Sequence, residues 1–122
     1  MTHVNNSTIG TINVHNAGIL TISGTSKVDK IDAKALNNDG KVSIEKDATV
    51  TLLNVDELIY NGTHYAPTIE IKAGAIIETL DLNSIAKTNK IAIEKGAKIS
   101  KIIHNGDEYS SIEAFKESLK KP

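Results

Sequence analysis

One irregular spacing of aliphatic residues recurs along the chain and constrains its fold more than any other feature. It reads aliphatic, then +2, +6, +3 and +2, and its copies begin at Leu20, Val42, Ile69 and Ile91, with intervals of 22, 27 and 22 residues. The copies are Leu20, Ile22, Val28, Ile31, Ala33; Val42, Ile44, Val50, Leu53, Val55; Ile69, Ile71, Ile77, Leu80, Leu82; and Ile91, Ile93, Ile99, Ile102, His104. Ile9, Ile12 and Val14 match the second half of a further copy. Such self-similarity is typical of repeat architectures, in which each unit stacks on the next.

The steps within the repeat indicate short strands joined by corners. A +2 step places two side chains on one face of a strand, and a +3 step breaks that alternation and implies a bend. The +6 step crosses the turn-prone segments 46–48, 73–75 and 95–97. The sequence therefore predicts an all-β fold, a right-handed parallel β-helix (β-solenoid) of about four to five coils, since right-handed crossovers are the default.

The composition suits a narrow aliphatic interior. Hydrophobic residues make up 39% of the 122 residues, but aromatic residues only 3%, with one Phe and no Trp. The alternative fold is an antiparallel β-sandwich, which also contains short strands at regular intervals. A sandwich core usually includes larger aromatic residues, and it does not require the same irregular spacing four times.

The chain is expected to form one solenoid domain over residues 1–122. Residues 1–19 would form a partial first coil, 20–104 the repeat coils with a hairpin insertion near 56–68, and 105–122 a hairpin and a capping helix. The two Asn-Gly pairs, at 61–62 and 105–106, favour tight type I′ hairpin turns. Because residues 1–8 are polar and only half a coil is apparent, we expect either the C-terminal piece of a longer solenoid or an open end that abuts another domain or chain.

The segment after residue 109 changes to helical spacing, with apolar residues at 112, 115 and 119. Ser110 and Glu113 fit a capping box. The lysines at 116, 120 and 121 lie where the helix dipole favours cations. Phe115 is predicted to cover the end of the aliphatic column and so to protect the open strand edge.

Charge and residue usage exclude several classes of function. The formal net charge is −1, and all 14 basic residues are lysines, so nucleic-acid binding is not expected. The absence of cysteine excludes thiolate metal ligands and a cysteine nucleophile. No apolar run approaches the ~18–20 residues that span a bilayer, so we expect no membrane insertion. The first residues are also unlike a signal peptide.

Two rows of aligned residues beside the apolar ladder are predicted to have a structural role. Asn13, Asp32, Asn54 and Asp81 form a row of amides and carboxylates, whose two acids stand two coils or about 10 Å apart, too far to share a Ca²⁺ ion. A second row contains Ser23, Glu45, Lys72 and Glu94 and predicts a cross-strand charge ladder.

The histidines predict no metal site and no cofactor. His3, His15, His64 and His104 lie in different coils or loops, without HxH or HExxH spacing. The candidate ligand-binding residues are instead Tyr60, His64 and Tyr65 in the insertion. Aromatic faces can stack on sugars, and loops often carry binding function on a rigid scaffold. Packing of the tyrosines onto the coil is the alternative.

Several segments resemble the β-helical repeats of bacterial cell-surface and S-layer-associated proteins. The resemblance rests on residues 23–33 (SGTSKVDKIDA) and 93–99 (IEKGAKI), and on the ending 105–114 (NGDEYSSIEA). It implies an extracellular location and a structural or adhesive role, with cell-wall polysaccharide or another protein domain as partner. It transfers no catalytic residues.

Three hypotheses about function follow. The first is a non-enzymatic structural or adhesive surface module, monomeric and rich in β-structure. The second is a carbohydrate-binding or polysaccharide-acting β-helix domain, which the lack of arginine and of stacked acidic pairs disfavours. The third is a polymerising scaffold similar to bactofilins, which a capped C-terminal end would oppose.

Overall fold

Thirteen strands and one helix make up the regular structure of residues 1–120, the part of the chain that the computed structural model describes. The strands are β1 (Thr2–Asn5), β2 (Thr8–His15), β3 (Ile19–Ser23), β4 (Lys27–Leu36), β5 (Lys41–Ile44), β6 (Thr49–Glu57), β7 (Ile59–Tyr60), β8 (Thr63–His64), β9 (Thr68–Ile71), β10 (Ile76–Asp81), β11 (Ile91–Ile93), β12 (Lys98–His104) and β13 (Asp107–Tyr109); the helix is α1 (Ile112–Leu119). Sheet A has the order β1-β3-β5-β9-β11, and sheet B has the order β13-β12-β10-β6-β4-β2. Each coil contributes one strand to each sheet.

The parallel β-solenoid predicted from the repeat is confirmed. Neighbouring coils pair in parallel, and equivalent repeat positions face each other, for example Ile31 with Leu53 and Leu53 with Leu80. All fifteen predicted core positions of the first three copies are at most 2% exposed. An antiparallel sandwich is thereby excluded, because only the two hairpin pairings in this part of the chain are antiparallel.

The +6 step forms a stacked corner, as predicted. Gly24, Asp47, Gly74 and Gly96 have left-handed backbone conformations there, with φ between 63° and 103°. Asp47 N–H donates to the Gly74 carbonyl at 3.1 Å, and Gly74 N–H donates to the Gly96 carbonyl at 3.0 Å. A Cβ on Gly74 would lie 2.7 Å from Cγ of Lys46. Both this close approach and the positive φ favour glycine at this corner position.

The second corner contains aliphatic residues that the repeat did not predict. Leu36 and Ile85 each follow the last repeat position of their coil by three residues, and they are 0% and 2% exposed. A register shift between Ala33 and Leu36 turns the chain at this point. The aliphatic column therefore extends into this corner.

The expectation of a half-present first coil is wrong. β1 pairs in parallel with β3, which places Thr2 beside Leu20 and Val4 beside Ile22. Val4 is the one apolar residue among the four of β1, and it is 7% exposed. Strand pairing depends on backbone groups, so a polar strand can complete a coil without the aliphatic signature.

The two Asn-Gly pairs form hairpin turns, as predicted. Asn61 and Gly62 have φ of 50° and 78°, and Asn105 and Gly106 have φ of 52° and 84°, the signs that a type I′ turn requires. The first turn joins β7 to β8, and the second joins β12 to β13.

The C-terminal helix covers the end of the column. Phe115 is 1% exposed, and its ring lies 5.7 Å from that of His104 and 5.8 Å from that of Tyr109. Lys116 Nζ donates a hydrogen bond to the Ile93 carbonyl at 2.6 Å. This bond occupies a backbone acceptor of the edge strand β11. The position of Phe115 is as predicted from the sequence.

The predicted capping box is wrong by one residue. Ser111 is the N-cap: its backbone is extended (φ −145°, ψ 152°), and its Oγ accepts from Ala114 N–H at 3.0 Å. Ser110 lies too early, because the helix begins at Ile112. Of the three predicted basic residues, Lys121 lies outside the described residues.

Candidate functional site

The insertion between β6 and β9 leaves the coil as a small two-stranded hairpin. Ile59 pairs with His64, and Tyr60 pairs with Thr63. Paired residues share a face and successive residues alternate, so Tyr60 and His64 lie on opposite faces of the hairpin. Tyr60 is 57% exposed, whereas His64 and Tyr65 are half-buried. The three predicted ligand-binding residues thus lie in one hairpin but not on one face.

A buried carboxylate that is not one of the repeat positions anchors this hairpin. The side chain of Glu57, the last residue of β6, is 1% exposed. Its Oε1 contacts Nδ1 of His64, and its Oε2 accepts from Ala86 N–H at 3.1 Å and from Lys87 N–H at 3.5 Å. The two backbone N–H donors and the imidazole nitrogen together give both oxygens of the carboxyl group a partner. Glu57 follows the inward-facing Val55 by two residues. Because strand side chains alternate between faces, this spacing predicts that Glu57 also faces inward.

The neighbouring residue makes a second connection to the same loop. Ser84 donates its hydroxyl hydrogen to Oδ1 of Asp56. Asp56 and Glu57, two adjacent residues of β6, thus both bind residues 84–87 of the next coil. The hydrogen bond from Tyr65 N–H to the Leu58 carbonyl, at 2.9 Å, closes the base of the hairpin. The base is therefore held while Tyr60 and the turn remain exposed.

Glu57 and His64 are also arranged in a way that is compatible with acid–base chemistry. A carboxylate at Nδ1 orients the imidazole and favours the tautomer that leaves Nε2 as an acceptor, the arrangement by which acid–base histidines are positioned. The only side-chain hydrogen bond of His64 within residues 1–120 is the one to Glu57. The observed contacts of Glu57 and His64 are those of a pair that anchors the hairpin to the coil.

The other histidines are dispersed among the coils. His3 Nε2 lies 2.8 Å from the Ser23 hydroxyl, and His104 Nε2 lies 2.8 Å from the Ile85 carbonyl. His15 is exposed at the end of β2. Within residues 1–120, no group of three His, Cys, Asp or Glu side chains could hold a metal ion.

The row of amides and carboxylates has the predicted register. Asn13 pairs with Asp32, Asp32 with Asn54, and Asn54 with Asp81. Asn54 Nδ2 donates to Oδ1 of Asp32 at 3.2 Å, which links two coils. This row is a hydrogen-bonded ladder at that step.

The charge ladder is centred on a residue that the sequence prediction did not include. Glu70 lies 2.6 Å from Lys41 and 3.4 Å from Lys72, and Lys72 lies 3.7 Å from Glu94. The hydrogen bond from Lys41 holds the pKa of Glu70 below its ordinary value of 4.5. The hydrogen bond with Glu70 raises the pKa of Lys72. Glu45 instead accepts from the Ser43 hydroxyl at 2.8 Å.

Two open grooves flank the cap. One, of about 720 Å³, lies between α1 and the corner at Lys95–Lys98. The other, of about 780 Å³, lies between α1, the β12–β13 hairpin and Ala86. Residues of the cap line both grooves, so both arise from the way the helix closes the coil.

No helix within residues 1–120 is long and apolar enough to cross a membrane. No family model, curated protein or solved structure matches this chain.

Proposed function

We propose that this chain is a non-enzymatic structural and adhesive module of a bacterial surface protein, which acts outside the cell. The single observation that carries the proposal is the hairpin at Tyr60, which is exposed at its tip and anchored at its base by the buried Glu57. A loop held in this way by a rigid scaffold is suited to binding, because less conformational entropy is lost when its target binds.

The stacked coils are suited to the structural part of this role. The aliphatic column is continuous, and backbone hydrogen bonds join successive coils both within the sheets and at the corners. Proteases cleave segments that open locally, and strands with fully bonded backbones open least. Such a unit would keep the hairpin presented under extracellular conditions.

The partner proposed for the hairpin is cell-wall polysaccharide. Ile59 and Tyr60 are 56% and 57% exposed on the two faces of β7. A tyrosine ring offers an apolar face to a sugar ring and a hydroxyl group to its polar edge. With the resemblance to surface proteins, these exposed side chains favour a carbohydrate over a nucleic acid or a lipid.

Co-sedimentation with purified, insoluble bacterial cell walls tests the adhesive role. The intact chain should pellet with the walls, and Tyr60→Ala should weaken binding roughly two- to ten-fold, the amount expected from loss of one aromatic contact. Ile76→Ala is the matched control, because Ile76 is an exposed apolar residue of β10, away from the hairpin. Failure of the intact chain to pellet would contradict the adhesive role.

Limited trypsin digestion tests the structural role independently. The lysines at 27, 30 and 34 all lie in β4, a strand paired on both sides. We expect the chain to resist cleavage there under native conditions. Rapid cleavage in β4 would contradict a rigid scaffold.

The second candidate is a domain that acts on polysaccharide rather than only binding it, and the contact between His64 and Glu57 favours this candidate. Release of reducing sugars from wall polysaccharide, lost in His64→Ala, would support it over the adhesive module. A bactofilin-like scaffold is the third, and α1 opposes it by covering one end. Filaments of the intact chain in electron micrographs would support that scaffold.

A further inference from the structure

The first coil differs from every other coil in its charge. Residues 1–26 contain no Asp, Glu or Lys, and all 14 lysines and 15 acidic residues lie from Lys27 onward. The outermost strands of the two sheets, β1 and β2, belong to this segment, whose titratable side chains are His3 and His15. Their unpaired edges are four and eight residues long. Both sheets therefore end in strands without Asp, Glu or Lys. One backbone acceptor of β1, the Asn5 carbonyl, accepts from the Ser7 hydroxyl at 2.9 Å.

The opposite end is better protected against edge-to-edge pairing than these strands. Its edge strands β11 and β13 have three residues each. Lys116 occupies the Ile93 carbonyl of β11, and β13 contains Asp107 and Glu108. Short length, charge and covering groups are the devices by which proteins prevent edge-to-edge pairing. At the N-terminal end β1 is also short and Ser7 covers its Asn5 carbonyl, but β2 is eight residues long and neither strand contains Asp, Glu or Lys.

The fold itself does not exclude lysine from the first coil. Thr8 and Thr11 are exposed on sheet B and pair with Lys27 and Lys30 of the next coil. The same two rows end in Lys98 and Lys101 in the last coil. Lysine is therefore tolerated in these rows, and threonine occupies them at the open edge.

We propose that the first coil binds a second copy of this chain, edge to edge, in a closed dimer. A partner must present two strand edges on either side of an equivalent aliphatic column, and the first coil of another copy does so. Because α1 closes the other end, the contact is head to head between identical surfaces, and assembly stops at two copies. The proposal goes beyond the adhesive role and replaces the expectation of a monomer.

The mass of the intact chain in solution tests the dimer. Light scattering after size-exclusion chromatography should give twice the 13.1 kDa chain mass. The double substitution Thr8→Lys and Thr11→Lys should weaken association at least ten-fold, since it brings four lysines together across the contact. Ala92→Lys is the matched control: Ala92 is exposed in β11, at the closed end. Circular dichroism would verify that both variants retain the fold of the intact chain.

Paired spin labels locate the contact, even if the lysine variant fails to fold. The chain has no cysteine, so Thr11→Cys and Ala92→Cys each provide one labelling site. In a head-to-head dimer the Ala92 labels lie nine strand spacings apart, about 43 Å, and the Thr11 labels lie much closer. A monomer, a series of larger species, a dimer unaffected by the double substitution, or closer labels at Ala92 would each overturn the proposal.

Discussion

At the scale of single residues, Glu57 shows how one side chain can join parts of the chain that are distant in sequence. Its carboxylate contacts His64 in the hairpin and the N–H groups of Ala86 and Lys87 about thirty residues onward. A buried carboxylate without partners would be costly, so burial and hydrogen bonding depend on each other here. The orientation of the hairpin therefore rests on this residue.

Glu57→Gln should destabilise the fold by about 1–3 kcal/mol, because an amide keeps one acceptor oxygen of the two and makes weaker hydrogen bonds than a carboxylate. Urea unfolding followed by circular dichroism measures the change. Glu78→Gln is the control, since Glu78 is exposed on β10. Equal effects of the two substitutions would show that Glu57 is not an anchor.

Glu70 should make stability depend on pH. Its pKa is held below 4.5 in the folded chain, chiefly by the hydrogen bond from Lys41. The folded state therefore favours the ionised form, and this stabilisation is complete above pH 4.5 and is lost as pH falls through the folded pKa. Glu70→Gln should make the loss of stability below pH 4.5 shallower, as measured by urea unfolding at several pH values. An unchanged pH profile would contradict this assignment.

At the scale of elements, local signals predicted the hairpins and the helix but not their exact contacts. Asn-Gly favours a type I′ turn because Asn and Gly tolerate the required positive φ, and no distant residue is needed. The N-cap was assigned one residue too early, because two serines, Ser110 and Ser111, precede the helix and either suits a cap. The backbone at Ser111 decides between them.

Ser111→Ala should cost about 1 kcal/mol, the usual loss when a capping hydroxyl is removed. Ser110→Ala should change the free energy of unfolding by much less, because Ser110 is exposed and is not the N-cap. Urea denaturation of the two variants side by side distinguishes them. A larger effect at Ser110 would restore the capping box predicted from the sequence.

At the scale of the whole molecule, stability resides in the column. Equivalent aliphatic residues stack coil on coil, so each side chain packs against the coils above and below it. A cavity in a central coil affects the packing of both neighbours. Repeat proteins depend on such nearest-neighbour contacts.

Leu53→Ala should destabilise the chain by about 2–5 kcal/mol, since Leu53 is fully buried in the central coil and its loss leaves a cavity. Leu52→Ala is the matched control, because the adjacent side chain is only half-buried. Chemical denaturation gives both values. Similar losses would contradict the inward and outward assignment along β6.

The sequence by itself determined the coil: the spacing of aliphatic residues, the turn-prone corners, both hairpins and the capping helix with Phe115. These follow from strand periodicity and local backbone preference, which act within about one repeat. Only the tertiary structure decided the pairing of β1 with β3, the hydrogen-bond partners of Glu57 and the opposite faces of Tyr60 and His64. Those features arise from contacts between residues about twenty to thirty apart, or from the register of a short hairpin, and neither produces a periodic signal in the sequence.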